Sequence, residues 1–283
     1  RGVAMSGRLE TVARLEQLFA HAPMETLGAL PGHTIGFNGT PRLVTLLDEA
    51  SGACVHGVHK PAFAQQPQEA FAWRTVRQLH AEDLYAVVAE RATGPHDGFV
   101  VERAAGSNPM SMEAVTTALA ARHGGGTASA RAGVVDLHRM IGVDYVLGDS
   151  DRHLRQMSVA PTGVLGYDHG HLGYLHLAAP NSVTIPMHDD LFGPAARVAT
   201  ADHPHVLELE PAAIDSLLSS VDDQLIERAH AETLGSWNGP VHEQFATTSA
   251  YASSTEYLDG VFERLDQLED HGTVRMFNVR SLY

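Results

Sequence analysis

The chain has 283 residues, 44% of them hydrophobic, enough for one large domain or a pair of lobes with a packed core. A formal net charge of −15 excludes a general nucleic-acid binder, which needs a basic footprint, and disfavours anionic membrane surfaces. No apolar run approaches the roughly 18 residues of a membrane span, no secretory leader pattern is visible, and Cys54 is the only cysteine, so a soluble, cytoplasmic protein without internal disulfides is expected.

Apolar residues at Leu9, Val12, Leu15, Leu18 and Phe19 predict a helix over 6–21, with Ser6 as its cap. After the Pro31-Gly32 turn, residues 33–60 read as β-structure: Thr34 to Phe37, a loop Asn38-Gly39-Thr40-Pro41, Leu43 to Leu47, and Ala53 to Val58. Pro67 to His80 predicts a helix with Ala70, Trp73, Val76 and Leu79 on one face. Leu84 to Ala89 and Phe99 to Val101 predict two further strands, split by turn residues at Gly94-Pro95 and His96-Asp97-Gly98. Ser111 to Arg122 and Ser129 to Leu147 predict helices on either side of Gly124-Gly125-Gly126. A polar segment, Gly148 to Gly173, follows, and the remainder reads as mainly helical: Pro211 to Ser220, Asp222 to Leu234 and Thr255 to His271. The order is α+β, with a β-rich part over 1–104 and a helical part over 105–283.

Lys60 is the only lysine among the 19 basic residues. In so Arg-biased a chain, a retained lysine marks a place where a planar guanidinium cannot substitute for a compact point charge. The plainer reading is a chance survivor on the surface. Lys60 ends the run Val55-His56-Gly57-Val58-His59-Lys60-Pro61, which reads as a strand stopped by proline. The densest run of polar groups is Gly148-Asp149-Ser150-Asp151-Arg152-His153-Leu154-Arg155-Gln156, followed by Tyr167-Asp168-His169-Gly170. Phosphoryl transfer needs one carboxylate near the attacking hydroxyl and another to hold Mg²⁺ against the phosphates, and Asp151 and Asp168 are candidates.

Asp-Arg-His, an amide five residues after the Asp, then Asp-x-Gly, resembles the pattern of phosphatidylinositol 3- and 4-kinases, of HipA-type bacterial kinases and of their actinobacterial relatives. The strand Gly57-Val58-His59-Lys60-Pro61 resembles the lysine strand of the same superfamily. The resemblance spans roughly Gly36 to Gly170 and implies a protein-kinase-like fold, with a β-rich N-lobe and a helical C-lobe. It implies that Lys60 binds ATP phosphates and that Glu69, on the next helix, pairs with it; Glu82 and Glu90 are the alternatives. Asn38, Gly39 and Thr40 would form a phosphate-covering loop, though a short one poor in glycine. Residues 100–104, including Val101 and Glu102, would be the hinge against adenine. Asp151 would orient or deprotonate the acceptor hydroxyl. His153 would brace the catalytic loop, and Arg152 would touch phosphate or brace Asp168. Asp168 would hold Mg²⁺ with Gln156, which stands where the family has Asn. That departure leaves open a single metal, slower chemistry or a pseudokinase.

His169, His171 and His176 invite a zinc reading, but histidines are dispersed through the chain, and a loop rich in them is the simpler account. Cys54 and Trp73 are expected in the core. The polarity breaks at Leu207-Glu208-Leu209-Glu210 and Leu258 to Leu268 suggest helical surfaces. The expected function is an ATP- and Mg²⁺-dependent phosphotransferase acting on a hydroxyl of a small metabolite, natural product or peptide. A HipA-like Ser/Thr protein kinase and a nucleotide-binding pseudokinase scaffold are the alternatives.

Overall fold

The computed structural model describes residues 3–29, 41–61, 66–91, 98–103, 106–149, 152, 154–160, 163–167, 172, 183–184, 199, 203–236, 251 and 253–277. Helix α1 runs Val3–His21 and strand β1 Met24–Ala29. Then come β2 Arg42–Asp48, β3 Ala53–Pro61, α2 Gln66–Gln78, β4 Val88–Arg91 and β5 Gly98–Glu102. The five strands form one antiparallel sheet in the order β1-β2-β3-β5-β4. The C-terminal part holds α3 Met112–Ala121, α4 Thr127–Leu147, α5 Pro211–Leu218, α6 Asp223–Thr233 and α7 Ser254–His271. The α+β order expected from the sequence is the one adopted. The sheet has the lysine strand at its centre and α2 directly after it, and a mainly helical part follows.

Strand alternation decides what each sheet face does. Lys60 lies opposite Phe99, and Val58 opposite both Leu43 and Val101, so these five share one face. Val44, Leu46, His59, Val100 and Glu102 share the other. Helix α1 closes that second face: its Val12, Leu15 and Phe19 are buried, as are Val44, Leu46 and Val100. Arg14 of α1 pairs with Asp48, and Arg91 on β4 donates to the carbonyls of Phe19 and Ala22 at 2.7 and 2.9 Å. The Lys60 face stays half open over β2 and β3, where Leu43, Thr45 and Val58 are only partly covered.

Several details differ from the sequence expectations. Helix α1 starts at Val3, so Ser6 lies inside it and does not cap it. The expected strand Thr34 to Phe37 lies outside the described residues, and β1 forms earlier, at Met24–Ala29. The expected strand from Leu84 begins only at Val88, because Leu84 and Ala86 bond instead to Gly166, on a later strand. The polar segment after α4 contains a hairpin, β6 Met157–Ala160 and β7 Gly163–Gly166. The C-terminal part also carries a second sheet of β8 Val183–Thr184, β9 His205–Glu208 and β10 Thr273–Phe277, in the order β8-β10-β9. Leu207-Glu208 is therefore strand, its alternation satisfied by pairing with β10. Cys54 is exposed, because alternation puts it on the open Lys60 face near the turn between β2 and β3.

Candidate active site

Lys60 leaves the penultimate position of β3. Its Nζ donates to Glu69 Oε1, in the first turn of α2. The Glu69 side chain is 3% exposed and the lysine side chain 29%, so the acid is buried while the lysine is only partly covered. Glu69 is thus the acid that meets Lys60, and Glu90 is taken by Arg74 at 3.2 Å. Residue spacing explains the choice. Glu69 lies one turn before Trp73, which is buried and donates its indole N–H to Glu16 of α1 at 2.7 Å. The same helix face carries Glu69 towards the sheet. Val58 and Leu43, neighbours of Lys60 on its open face, add a half-covered apolar shelf beside the charge.

The second cluster forms where α4 ends. Gly148 takes a left-handed conformation, φ 63°, that suits glycine and turns the chain out of the helix. Arg152 then folds back and is fully buried. Its Nε donates to Asp144 at 3.0 Å and its Nη2 to Asp144 and Asp149 at 3.2 and 3.0 Å. Its Nη1 donates to the carbonyls of Gln156 and Tyr167 at 3.2 and 2.6 Å. The guanidinium also lies 5.6 Å from the centre of the Tyr85 ring. Burial opposes the charge on Arg152, but Asp144 and Asp149 outweigh it and hold the pKa above its ordinary value. Tyr85 donates to the Met140 carbonyl and to Asp144, each at 3.0 Å. Burial, then the charge of Asp144, push its phenol well above the ordinary value, so it remains a donor.

Arg152 therefore ties several segments together. Five N–H groups in a rigid fork hold the end of α4, the 3-10 turn Leu154–Gln156 and the residue before Asp168 in one unit. Among the described residues, the bonds of the guanidinium go to Asp144, Asp149 and the carbonyls of Gln156 and Tyr167. Asn108 adds a clip from the chain entering the helical part, donating to the carbonyls of Arg155 and Met157 at 2.9 and 2.8 Å.

Val101 sits on the Lys60 face of β5, buried at the foot of the shelf. Glu102 faces the other way. Arg8 of α1 grips it with bonds of 2.8 and 2.7 Å, so its carboxylate does not line the Lys60 face. Gln156 is buried in the 3-10 turn, its carbonyl accepting from Arg152 and from the amide of Tyr167. Asn38, Gly39, Thr40, Asp151, His153 and Asp168 lie outside the described residues, as do His169, His171 and His176. Among the described residues no cluster of His, Cys, Asp or Glu is arranged to hold a metal ion.

The sequence reading missed Asp144, Asp149 and Tyr85 as partners of Arg152. Asp144 carried a signal: a lone carboxylate in Val143-Asp144-Tyr145-Val146-Leu147 is in apolar surroundings and needs a buried cation. Val58 and Leu43 were legible from strand alternation beside Lys60.

No family model matches the chain, and no curated protein does. Among solved structures it is similar to the proinflammatory kinase CtkA of Helicobacter pylori, with 12% identity and a TM-score of 0.44 over 88% of this chain and 98% of that one.

Proposed function

We propose that the chain is an ATP- and Mg²⁺-dependent phosphotransferase that moves the γ-phosphate to a hydroxyl of a small metabolite or natural product. The observation that carries this reading is the pair of Lys60 with buried Glu69 on the half-open face of the sheet. A lysine oriented by a buried carboxylate, and itself only partly covered, suits polyphosphate oxygens. The shelf of Leu43 and Val58 suits the flat apolar face of a purine. Asp168 and Gln156 offer hard oxygen donors of the type Mg²⁺ takes, and the ion there would neutralise charge spread over the phosphates. Asp151 orients the acceptor hydroxyl in line with the γ-phosphate. Arg152 keeps the loop that carries Asp151 in register with the Asp168 segment. Positioning and electrostatics carry nearly all of such catalysis. The net charge of −15 works against an acceptor embedded in an anionic membrane.

The test is ATP consumption with ³¹P product detection across hydroxylated small molecules and Ser/Thr peptides, run on wild type, Lys60→Ala and Asp151→Ala. Transfer to one acceptor that falls by ~10²-fold or more in both variants supports the reading and identifies the acceptor class. ATP binding without transfer, unaffected by Asp151→Ala, replaces it with a nucleotide-binding scaffold, for which Gln156 would be the place to look. Failure to bind ATP at all removes it.

A further inference from the structure

Helix α1 does more than cover the sheet. Its apolar side chains bury the second face, and that alone would hold it there. Yet its polar side chains reach the two elements that would frame a nucleotide. Arg8 donates from Nη1 and Nη2 to both carboxylate oxygens of Glu102, at the end of β5, and from Nη2 to the carbonyl of Tyr85 at 3.0 Å. Glu102 Oε2 also accepts the Val87 amide at 3.0 Å. The pair is bidentate and mostly buried, with side chains 19% and 14% exposed, unlike a loose surface ion pair. Two turns further along α1, Glu16 accepts from the Trp73 indole at 2.7 Å and from Arg77 at 3.1 Å, both on α2. Trp73 stands one turn after Glu69, so whatever fixes Trp73 fixes the azimuth of Glu69.

We propose that α1 is a two-point brace for the nucleotide site, Arg8 fixing the end of β5 and Glu16 fixing α2, so that Val101 and Glu69 are held at a set separation. The inference rests on the phosphotransferase reading. Arg8 and Glu16 are positioning residues: neither lies on the Lys60 face, and each acts through a residue next to it or one turn from it. The two ends separate in their effects. Loosening β5 weakens the seat of the base and so the binding of nucleotide. Loosening α2 releases Glu69, leaving Lys60 able to bind phosphate but less well aimed in the transition state.

The experiment uses the full chain, with ADP and a non-hydrolysable ATP analogue as probes. Arg8→Ala is expected to raise the nucleotide Kd and the KM for ATP by ~5–10-fold with kcat within about twofold. Glu16→Ala is expected to lower kcat by ~10-fold with Kd within about twofold. The exchanged pair Arg8→Glu with Glu102→Arg recovers most of the binding lost in Arg8→Ala, and this keeps the proposal testable if Arg8→Ala folds poorly. A purely structural cover would lower the melting temperature without this split. Amide hydrogen exchange without nucleotide gives a readout independent of activity: α2 exchanges faster in Glu16→Ala while α4 and α7 are unchanged. If wild type binds nucleotide and both variants bind and turn over like it, the brace is overturned and the phosphotransferase reading stands. If wild type binds no adenine nucleotide, the phosphotransferase reading fails and takes the purpose of the brace with it, while exchange still reports whether α1 and α2 are coupled.

Discussion

Replacing Arg152 with alanine removes the buried cation that pairs with Asp144 and Asp149 in the knot below α4. Arg152, Asp144 and Asp149 are each no more than 1% exposed. The guanidinium donates to both carboxylates and to the carbonyls of Gln156 and Tyr167, so its loss takes donors from acceptors of two kinds. Breaking a buried pair from one side costs ~3–5 kcal/mol, because the remaining charge loses its partner in a site water does not reach. Against a whole-protein stability of about 5–15 kcal/mol, that is a large fraction. Urea unfolding followed by circular dichroism should show the midpoint falling with m unchanged, and the melting temperature should drop by roughly 5–15 °C. Lysine will not rescue, since a point charge cannot serve both carboxylates and both carbonyls. Adding Asp144→Asn and Asp149→Asn to Arg152→Met should recover ~1 kcal/mol or more relative to Arg152→Met alone, because the two charges that faced the arginine go with it. A loss below ~1 kcal/mol in Arg152→Ala would refute the reasoning, since the knot would then not depend on its arginine.

Two further outcomes follow from the geometry. His138 Nδ1 accepts the Glu210 amide at 2.8 Å, so the ring is neutral with its proton on Nε2, and burial, against a smaller opposing effect of Glu210, holds its pKa below the ordinary 6.5. A depressed histidine contributes stability that is present above pH 6.5 and lost as pH falls through the lower folded value, so the difference in urea stability between wild type and His138→Gln should shrink across that window; a difference that stays constant with pH would refute it. Gly106, at φ 125°, would place a methyl carbon 2.2 Å from the Val159 carbonyl oxygen, whereas Gly124, at φ 93°, meets nothing within 4 Å. Gly106→Ala should therefore cost ~2–3 kcal/mol more than Gly124→Ala in urea unfolding, and equal costs would show that backbone strain alone matters at both.

The parts of the site legible in the sequence were those fixed by local order. A strand ending in the one lysine and a helix opening with an acid bring Lys60 and Glu69 together with no long-range information beyond adjacency. Long amphipathic helices such as α4 and α7 were legible to within a few residues, since a 3.6-residue period over many turns is a strong signal. The short strands were not. β6 and β7 have four residues each, and β9 shows an alternation that a helix period also accommodates over so few positions. Their pairing is set by tertiary neighbours, as where Ser107 and Val159 exchange amide bonds. The role of Arg152 was left open because its acids lie three and eight residues earlier, across a helix end whose reversal depends on Gly148. The bond from Arg8 to Glu102 was not legible, because the two lie 94 residues apart.

The stretch between α2 and β4 is bolted to the helical part. Arg139 and Arg122 both reach Asp83, at 2.8 and 2.6 Å, and Ala86 and Gly166 are joined by a backbone bond of 2.8 Å. The chain leaving β5 is clipped at Ser107 and Asn108 to β6, and Phe71 of α2 packs edge-on against His230 of α6 and Tyr257 of α7. A swing about any one of these attachments has to break the other two, so the part that carries Lys60 is fastened to the helices rather than hinged on them.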